Sequence, residues 1–211
     1  IGSVEQVESY NWLIDSSKNM FVNKIHNYIP GLYKLFDEGI VNARDHVIRM
    51  TYLNPVSYIN IEISDDGVIT MTNDGDGIDV ALHPEYNVYI PELIFGHLRT
   101  STNYDKTEKK IVGGKNGFGF KLVLIWSEWG SIETVDHIRE LKYTQQFKNN
   151  LDIIEKPDIS KCRTKPYTKI TFKPDYKRFG IDGLDNDMRN LFIKRIYDVA
   201  AVTDKKVKVR F

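Results

Sequence analysis

Cysteine is nearly absent from this chain: its 211 residues hold one, Cys162. That excludes an internal disulfide and a cysteine-rich zinc site, and it fits an intracellular location. An excess of either charge is also missing. Lys plus Arg and Asp plus Glu each number 29, so the segment as a whole is not a strong electrostatic binder of nucleic acid or acidic membrane, although local basic patches remain open. The longest apolar run, Leu122 to Trp126, falls far short of the ~20 residues that cross a bilayer, and no secretory signal is visible. There is no internal repeat and no low-complexity block. The histidines, His26, His46, His83, His97 and His137, show no metal-ligand spacing.

What is present reads as one large domain over residues 1–211, with enough chain for a substantial core. It starts at Ile1 rather than Met and ends on an apparent strand, Lys206 to Phe211, so it reads as a fragment of something longer. The first thirty residues are mixed and read as strap and loop. Pro30-Gly31 opens a helix in which Leu32, Leu35, Phe36, Ile40, Ala43, Val47 and Met50 recur at helical spacing. Tyr58 to Ile63 and Val68 to Thr72 read as a hairpin about Asp66-Gly67. Pro91 to Leu98 and Lys121 to Trp126 read as short helices, Ser101 to Lys110 as a polar lid. Ser131 to Val135 and Arg139 to Phe147 read as a second hairpin, followed by a polar connection from Asn149 to Lys165. A strand from Thr168 to Phe172, an amphipathic helix through Met188 to Val199 and a last strand complete the pattern. The fold class is α+β: a mixed, largely antiparallel sheet with helices on one face.

Three pieces carry chemistry. Glu38 and Asn42 stand four apart on the first helix, so both side chains leave one face. A carboxylate there can take a proton from water, and an amide oxygen one turn on can ligate Mg²⁺; a plain solvated polar stripe has the same appearance. Asp74-Gly75-Asp76-Gly77 follows a strand. It is either an ordinary turn or an aspartate that accepts from an exocyclic amine, with glycines letting the backbone approach a base; metal ligation by the aspartate is a rival role. An acceptor here favours adenine, which offers an amine, over guanine. Gly113 to Gly119 holds four glycines in seven residues. It fails the Walker pattern, because the lysine comes one residue late and Leu122 replaces Ser/Thr, and it fails the Rossmann pattern at the same leucine. It keeps the ingredients of an anion nest: glycine-rich backbone, a helix start, Lys115 and Lys121. A structural hinge is the alternative. Ser101, Thr102 and Asn103 either meet ribose or phosphate or form an ordinary polar loop, and Thr168, at the start of a strand, either backs the Asp74 carboxylate or serves only the strand.

The order of these pieces resembles the GHKL ATPases, and within them the ATPase domain of eukaryotic-type, type IIA DNA topoisomerases. The matching text runs through Tyr28 to Glu38, Tyr89 to Leu98 with its Pro-Glu-Leu-Ile-Phe-Gly-His stretch, Thr100 to Asp105, Gly113 to Lys121 and Tyr167 to Asp175, and includes Ile1-Gly2-Ser3. The resemblance implies the Bergerat fold, with about eight strands, and ATP and Mg²⁺ as ligands. It implies Glu38 as general base, Asn42 as Mg²⁺ ligand, and Asp74 on the adenine amine with Thr168 behind it through water. Asp45, His46, Gly75, Gly77 and Ile78 would complete the nucleotide pocket. Ser101, Thr102 and Asn103 would touch sugar and phosphate, and Gly114, Lys115, Asn116, Gly117, Phe118, Gly119, Phe120 and Lys121 the phosphates. It further implies a homodimer formed on ATP binding, DNA as partner through a full-length enzyme, no membrane, and a site lysine supplied by a following transducer domain. The chain departs from the pattern at Gly39, where a bulky apolar residue is usual, at His46 for asparagine, at Asp79 for proline and at Phe120 for a small residue. A glycine inside a helix costs about 1 kcal/mol against alanine, which predicts a looser Glu38. Such divergence points to a protist, with the protein in its nucleus, or to a large DNA virus, with the protein in the host nucleus or cytoplasm or in the virion.

Overall fold

A computed structural model describes residues 1–97 and 119–211 of the chain. Two strands open it, β1 (Val7–Asp15) and β2 (Met20–Tyr28), paired antiparallel as a separate two-stranded sheet. Strap and loop was the sequence expectation here. The alternation is hard to see because the outward face carries Tyr10, Trp12 and Ile25, all exposed, so both faces of the hairpin are partly apolar. Helix α1 (Pro30–Met50) follows, with proline in its first turn and Gly31 N–H donating to the Ser3 carbonyl at 2.7 Å.

The main sheet has eight strands. They are β3 (Tyr58–Ile63), β4 (Ile69–Asn73), β5 (Ser127–Asp136), β6 (Leu141–Lys148), β7 (Ile153–Ile154), β8 (Asp158–Lys161), β9 (Thr168–Pro174) and β10 (Lys208–Arg210). Their order is β10-β3-β4-β9-β5-β6-β7, with β8 paired to β6 off this path. Only β10 and β3 run parallel among these pairs. The mixed, largely antiparallel sheet is therefore as expected, while β7 and β8 occupy what reads as a polar connection. Three α-helices and a 3-10 helix (Tyr176–Phe179) complete the described residues: α2 (Ile90–Gly96), α3 (Gly119–Ile125) and α4 (Asn186–Ala201), the last capped by Asp185, whose carboxylate accepts from Met188 N–H at 2.7 Å. None of these helices is long and apolar enough to cross a membrane.

Register explains how the sheet sorts its residues. Met71, Ile170 and Ile132 lie side by side across β4, β9 and β5, as do Ile69, Phe172 and Gly130. These rows face the helices and join a core with Phe36, Ile40, Phe120 and Phe192. The intervening rows, Thr70–Thr171–Ser131 and Thr72–Lys169–Glu133, are polar and lie on the opposite face by strand alternation. Helix α4 is locked to α1 by Phe36 and Phe192, stacked at 4.3 Å and both fully buried.

Candidate functional site

Two of the sequence-predicted pieces meet at Glu38. Its Oε1 accepts from Lys34 Nζ at 2.9 Å. Its Oε2 lies against Gly119, the first residue of α3, so closely that a Cβ at position 119 would overlap the carboxylate. A helix residue and the end of the glycine-rich segment are thus brought together, and glycine is the residue that permits it. Asn42 stands one turn further along α1, and Asp45 beyond it is buried. Lys34 also donates to Asp37 Oδ2 at 3.0 Å, while Asp37 Oδ1 accepts from Arg195 of α4, Nη2 at 2.7 Å and Nε at 2.8 Å. Burial opposes the charge on Lys34, but the hydrogen bonds to Glu38 and Asp37 outweigh it and raise the ammonium's pKa. Sequence reasoning missed Lys34, Asp37 and Arg195.

The second cluster lies where β4 ends. Asn73, Thr168 and Thr134 form the next row beyond Met71–Ile170–Ile132 on the helix-facing side. This row is polar where the two before it are apolar. The Thr134 and Thr168 hydroxyls are 3.2 Å apart, and Thr134 accepts from Ile78 N–H at 2.9 Å and donates to the Tyr167 carbonyl at 3.0 Å. Asn73 Nδ2 donates to the Asp74 carbonyl at 2.9 Å, which turns Oδ1 the other way. Asp74 is engaged elsewhere. One of its carboxylate oxygens accepts the backbone N–H of Ser57 at 2.7 Å and of Tyr58 at 3.1 Å, and the other accepts the Ser57 hydroxyl. Its carboxylate ties β4 to the start of β3, away from Thr168. The signal for Asn73 was available in the sequence: Ile69, Met71 and Asn73 keep one strand alternation, but the strand reads as stopping at Thr72.

The turn that follows packs closely. Gly75 has φ +95° and faces Val56 and His46, and Gly77 leaves no room for a Cβ against the Val135 carbonyl. A Cβ at either glycine would meet neighbouring protein. His46 donates Nε2–H to the Asp76 carbonyl at 3.0 Å and accepts Arg49 Nη2–H on Nδ1 at 3.3 Å. Burial first, then Arg49, lowers its pKa and keeps it neutral.

Helix α3 carries Phe120 and Lys121. Phe120 is buried among rings, edge-on to Phe95 at 5.4 Å and to Phe172 at 6.1 Å. Its side chain therefore belongs to the core, and only its backbone is left for a phosphate. Lys121 is buried, and desolvation lowers its pKa. Ser101, Thr102, Asn103, Gly114, Lys115, Asn116, Gly117 and Phe118, together with the expected lid, lie outside the described residues.

Comparison with known proteins decides the family. Residues 27–178 match the family model of the histidine kinase-, DNA gyrase B- and HSP90-like ATPases. The DNA topoisomerase 2 of Acanthamoeba polyphaga mimivirus is 48% identical over 98% of this chain and 16% of its own length. That of Saccharomyces cerevisiae is 44% identical over 94% of this chain and 14% of its length. The crystal structure of the yeast topoisomerase II ATPase region superposes with a TM-score of 0.93 at 42% identity, covering all of this chain and 55% of that one. The chain belongs to the ATPase domains of the type II DNA topoisomerases. It spans about one sixth of the length of the mimivirus relative.

Two of the departures, Gly39 and Phe120, lie close together in the fold. A Cβ at Gly39 would stand 2.5 Å from Met71 Sδ and 3.6 Å from Phe120 Cε2. Met71 occupies the space beside Gly39, and the Phe120 ring lies next to it at ordinary contact distance. Gly39 is buried. Asp79, in the proline position, pairs with Arg139 at 3.4 Å. Arg139 also holds Asp136 at 2.7 Å, and Asp136 accepts Val80 N–H at 2.9 Å. A charge network thus ties this segment to the end of β5. His46 holds the Asp76 carbonyl from the asparagine position.

Proposed function

We propose that this chain binds ATP with Mg²⁺ and hydrolyses it, and that it is the ATP-operated gate of a longer type IIA topoisomerase. In that reading ATP binding closes two copies into a homodimer around a DNA segment, and hydrolysis resets the gate. The observation that carries it is the meeting of Glu38 with Gly119. It sets a carboxylate oxygen directly at the start of the helix that follows the glycine-rich segment, where a helix N-terminus and backbone N–H groups favour phosphate.

The chemistry follows from the arrangement. Glu38 takes a proton from a water whose oxygen bonds to the γ-phosphorus, while the bond from that phosphorus to the β,γ-bridging oxygen breaks and ADP departs with the electron pair. Oε2 is the oxygen for this task, since Oε1 is held by Lys34. Buried Lys121 would face the negative charge of the phosphates. For Mg²⁺, Asn42 offers a hard oxygen donor one turn from Glu38, and Mg²⁺ in nucleotide sites takes few protein ligands beside phosphate oxygens and water. Asn42 would hold it through its amide oxygen, and bound Mg²⁺ neutralises phosphate charge. For adenine, Asn73, in register with Thr168, offers an amide oxygen as the acceptor in place of Asp74.

Glu38→Gln tests the reading in the full-length enzyme. Nucleotide binding by calorimetry should be retained, while hydrolysis should fall by about 10²–10⁴-fold, the usual contribution of a general base. Undiminished phosphate release would remove Glu38 from that role.

A further inference from the structure

Lys34 is poorly placed to stabilise its own helix. It lies in the second turn of α1, near the positive end of the helix dipole, where a cation is unfavourable. Its pair with Glu38 at i, i+4 runs lysine-first, the weaker orientation for helix stability. Yet Lys34 touches two carboxylates, and one of them, Asp37, is itself held at two nitrogens by Arg195 from another helix. A side chain fixed this thoroughly at an unfavourable position calls for another reason.

We propose that Lys34 is a positioning residue for Glu38, set in turn by Asp37 and Arg195, so that one oxygen of the carboxylate is held and the other is left turned toward Gly119. The proposal rests on the reading of Glu38 as general base. The chain runs Arg195, Asp37, Lys34, Glu38, each step 2.7 to 3.0 Å. Two consequences follow. Lys34 fixes the Glu38 rotamer by engaging Oε1. Asp37 shares the ammonium and is itself held by Arg195, so neither carboxylate closes on Lys34 alone.

Among the described residues, this chain is the charge network that reaches Glu38. On α4, Lys194 and Asp198 are closed on each other at 2.6 Å. Tyr33 is pushed up to about 12 by burial and stays neutral. β4 carries no ionisable side chain, and on α3 the ionisable side chain is Lys121.

The test is single-turnover ATP hydrolysis by the full-length enzyme. Calorimetry with adenylyl-imidodiphosphate and Mg²⁺ runs alongside for Lys34→Met, Lys34→Arg, Arg195→Met and Glu38→Gln. Lys34→Met should slow the chemical step by about 10-fold or more, as misplaced catalytic groups do, with analogue affinity nearly unchanged. Lys34→Arg should restore most of the rate, and Arg195→Met should slow the step by less. An unchanged rate in Lys34→Met would overturn the proposal. So would a slower rate that arginine fails to restore, or one matched by an equal loss of analogue affinity, which is the mark of a merely structural residue. Glu38→Gln separates the two layers. If it still turns over, the general-base reading fails first; if it is inactive while the Lys34 variants behave as wild type, only the present proposal fails.

Discussion

Glu38 and Gly39 are neighbours on one helix and are held by opposite means. Glu38 is held by charge, through Lys34, Asp37 and Arg195. Gly39 is held by shape, with Met71 in the space beside it and the Phe120 ring next to that. Apolar contacts are short-ranged and fixed by volume, so they set where the backbone of α1 lies against β4 and α3. Ion pairs at the half-exposed edge contribute little to stability, but they orient a carboxylate whose direction matters. The difference predicts that substitutions on the shape side change stability at constant chemistry, and substitutions on the charge side change chemistry at nearly constant stability.

The largest effect should come from breaking the shape side. Phe120→Ala should cost about 3–5 kcal/mol in denaturant unfolding, the usual range for a buried phenylalanine. Gly39→Ile alone should cost about 1–3 kcal/mol by overpacking against Met71. Combined, the two place the bulky side chain on α1 and the small one on α3. The double variant should therefore be more stable than the sum of the singles by about 1–2 kcal/mol, within the range for residues in contact. Strict additivity would show that the two departures are unrelated.

A smaller effect should separate the neighbours Asn73 and Asp74. Asn73→Ala should weaken binding of an ATP analogue by about tenfold, one hydrogen bond's worth, with the unfolding midpoint hardly moved. Asp74→Ala should leave affinity alone and lower stability by about 1 kcal/mol, since its carboxylate ties β4 to Ser57 and Tyr58. The reverse pattern would return the adenine contact to Asp74.

The sequence exposes what repeats or is locally coded. Helix α1 shows in the spacing of Leu32, Leu35, Phe36 and Ile40, and the paired strands of the sheet show in alternation bounded by turn residues. Hidden features depend on distance or on an ambiguous face. Asp37 and Arg195 are 158 positions apart, and no local pattern pairs them. The β1–β2 hairpin hides because Tyr10, Trp12 and Ile25 blur its alternation, and β8 because a short, largely exposed strand such as Asp158–Lys161 carries no apolar face to read. Asn73 was within reach, one residue past where the strand seems to stop. The packing of Phe120 beside Gly39 was not, since it joins two helices far apart in the chain.

The smallest effect lies at the far end of α1 and tests whether His46 works by charge or as a neutral donor. Its ring holds the Asp76 carbonyl at 3.0 Å, and burial, reinforced by Arg49, sets its folded pKa below the ordinary value. At mildly acid pH the unfolded chain therefore binds a proton that the folded chain resists, and stability rises with pH there. The contribution is fully present above the ordinary histidine range, about 6.5, and is lost as pH falls through that value toward the lower folded one. Thermal unfolding from pH 7.5 to 5 should show a falling midpoint, and His46→Asn, which keeps a donor but cannot be protonated, should flatten part of that fall. An identical slope in the variant would mean that His46 keeps its hydrogen bond when charged, placing it with Glu38 among the groups held by charge.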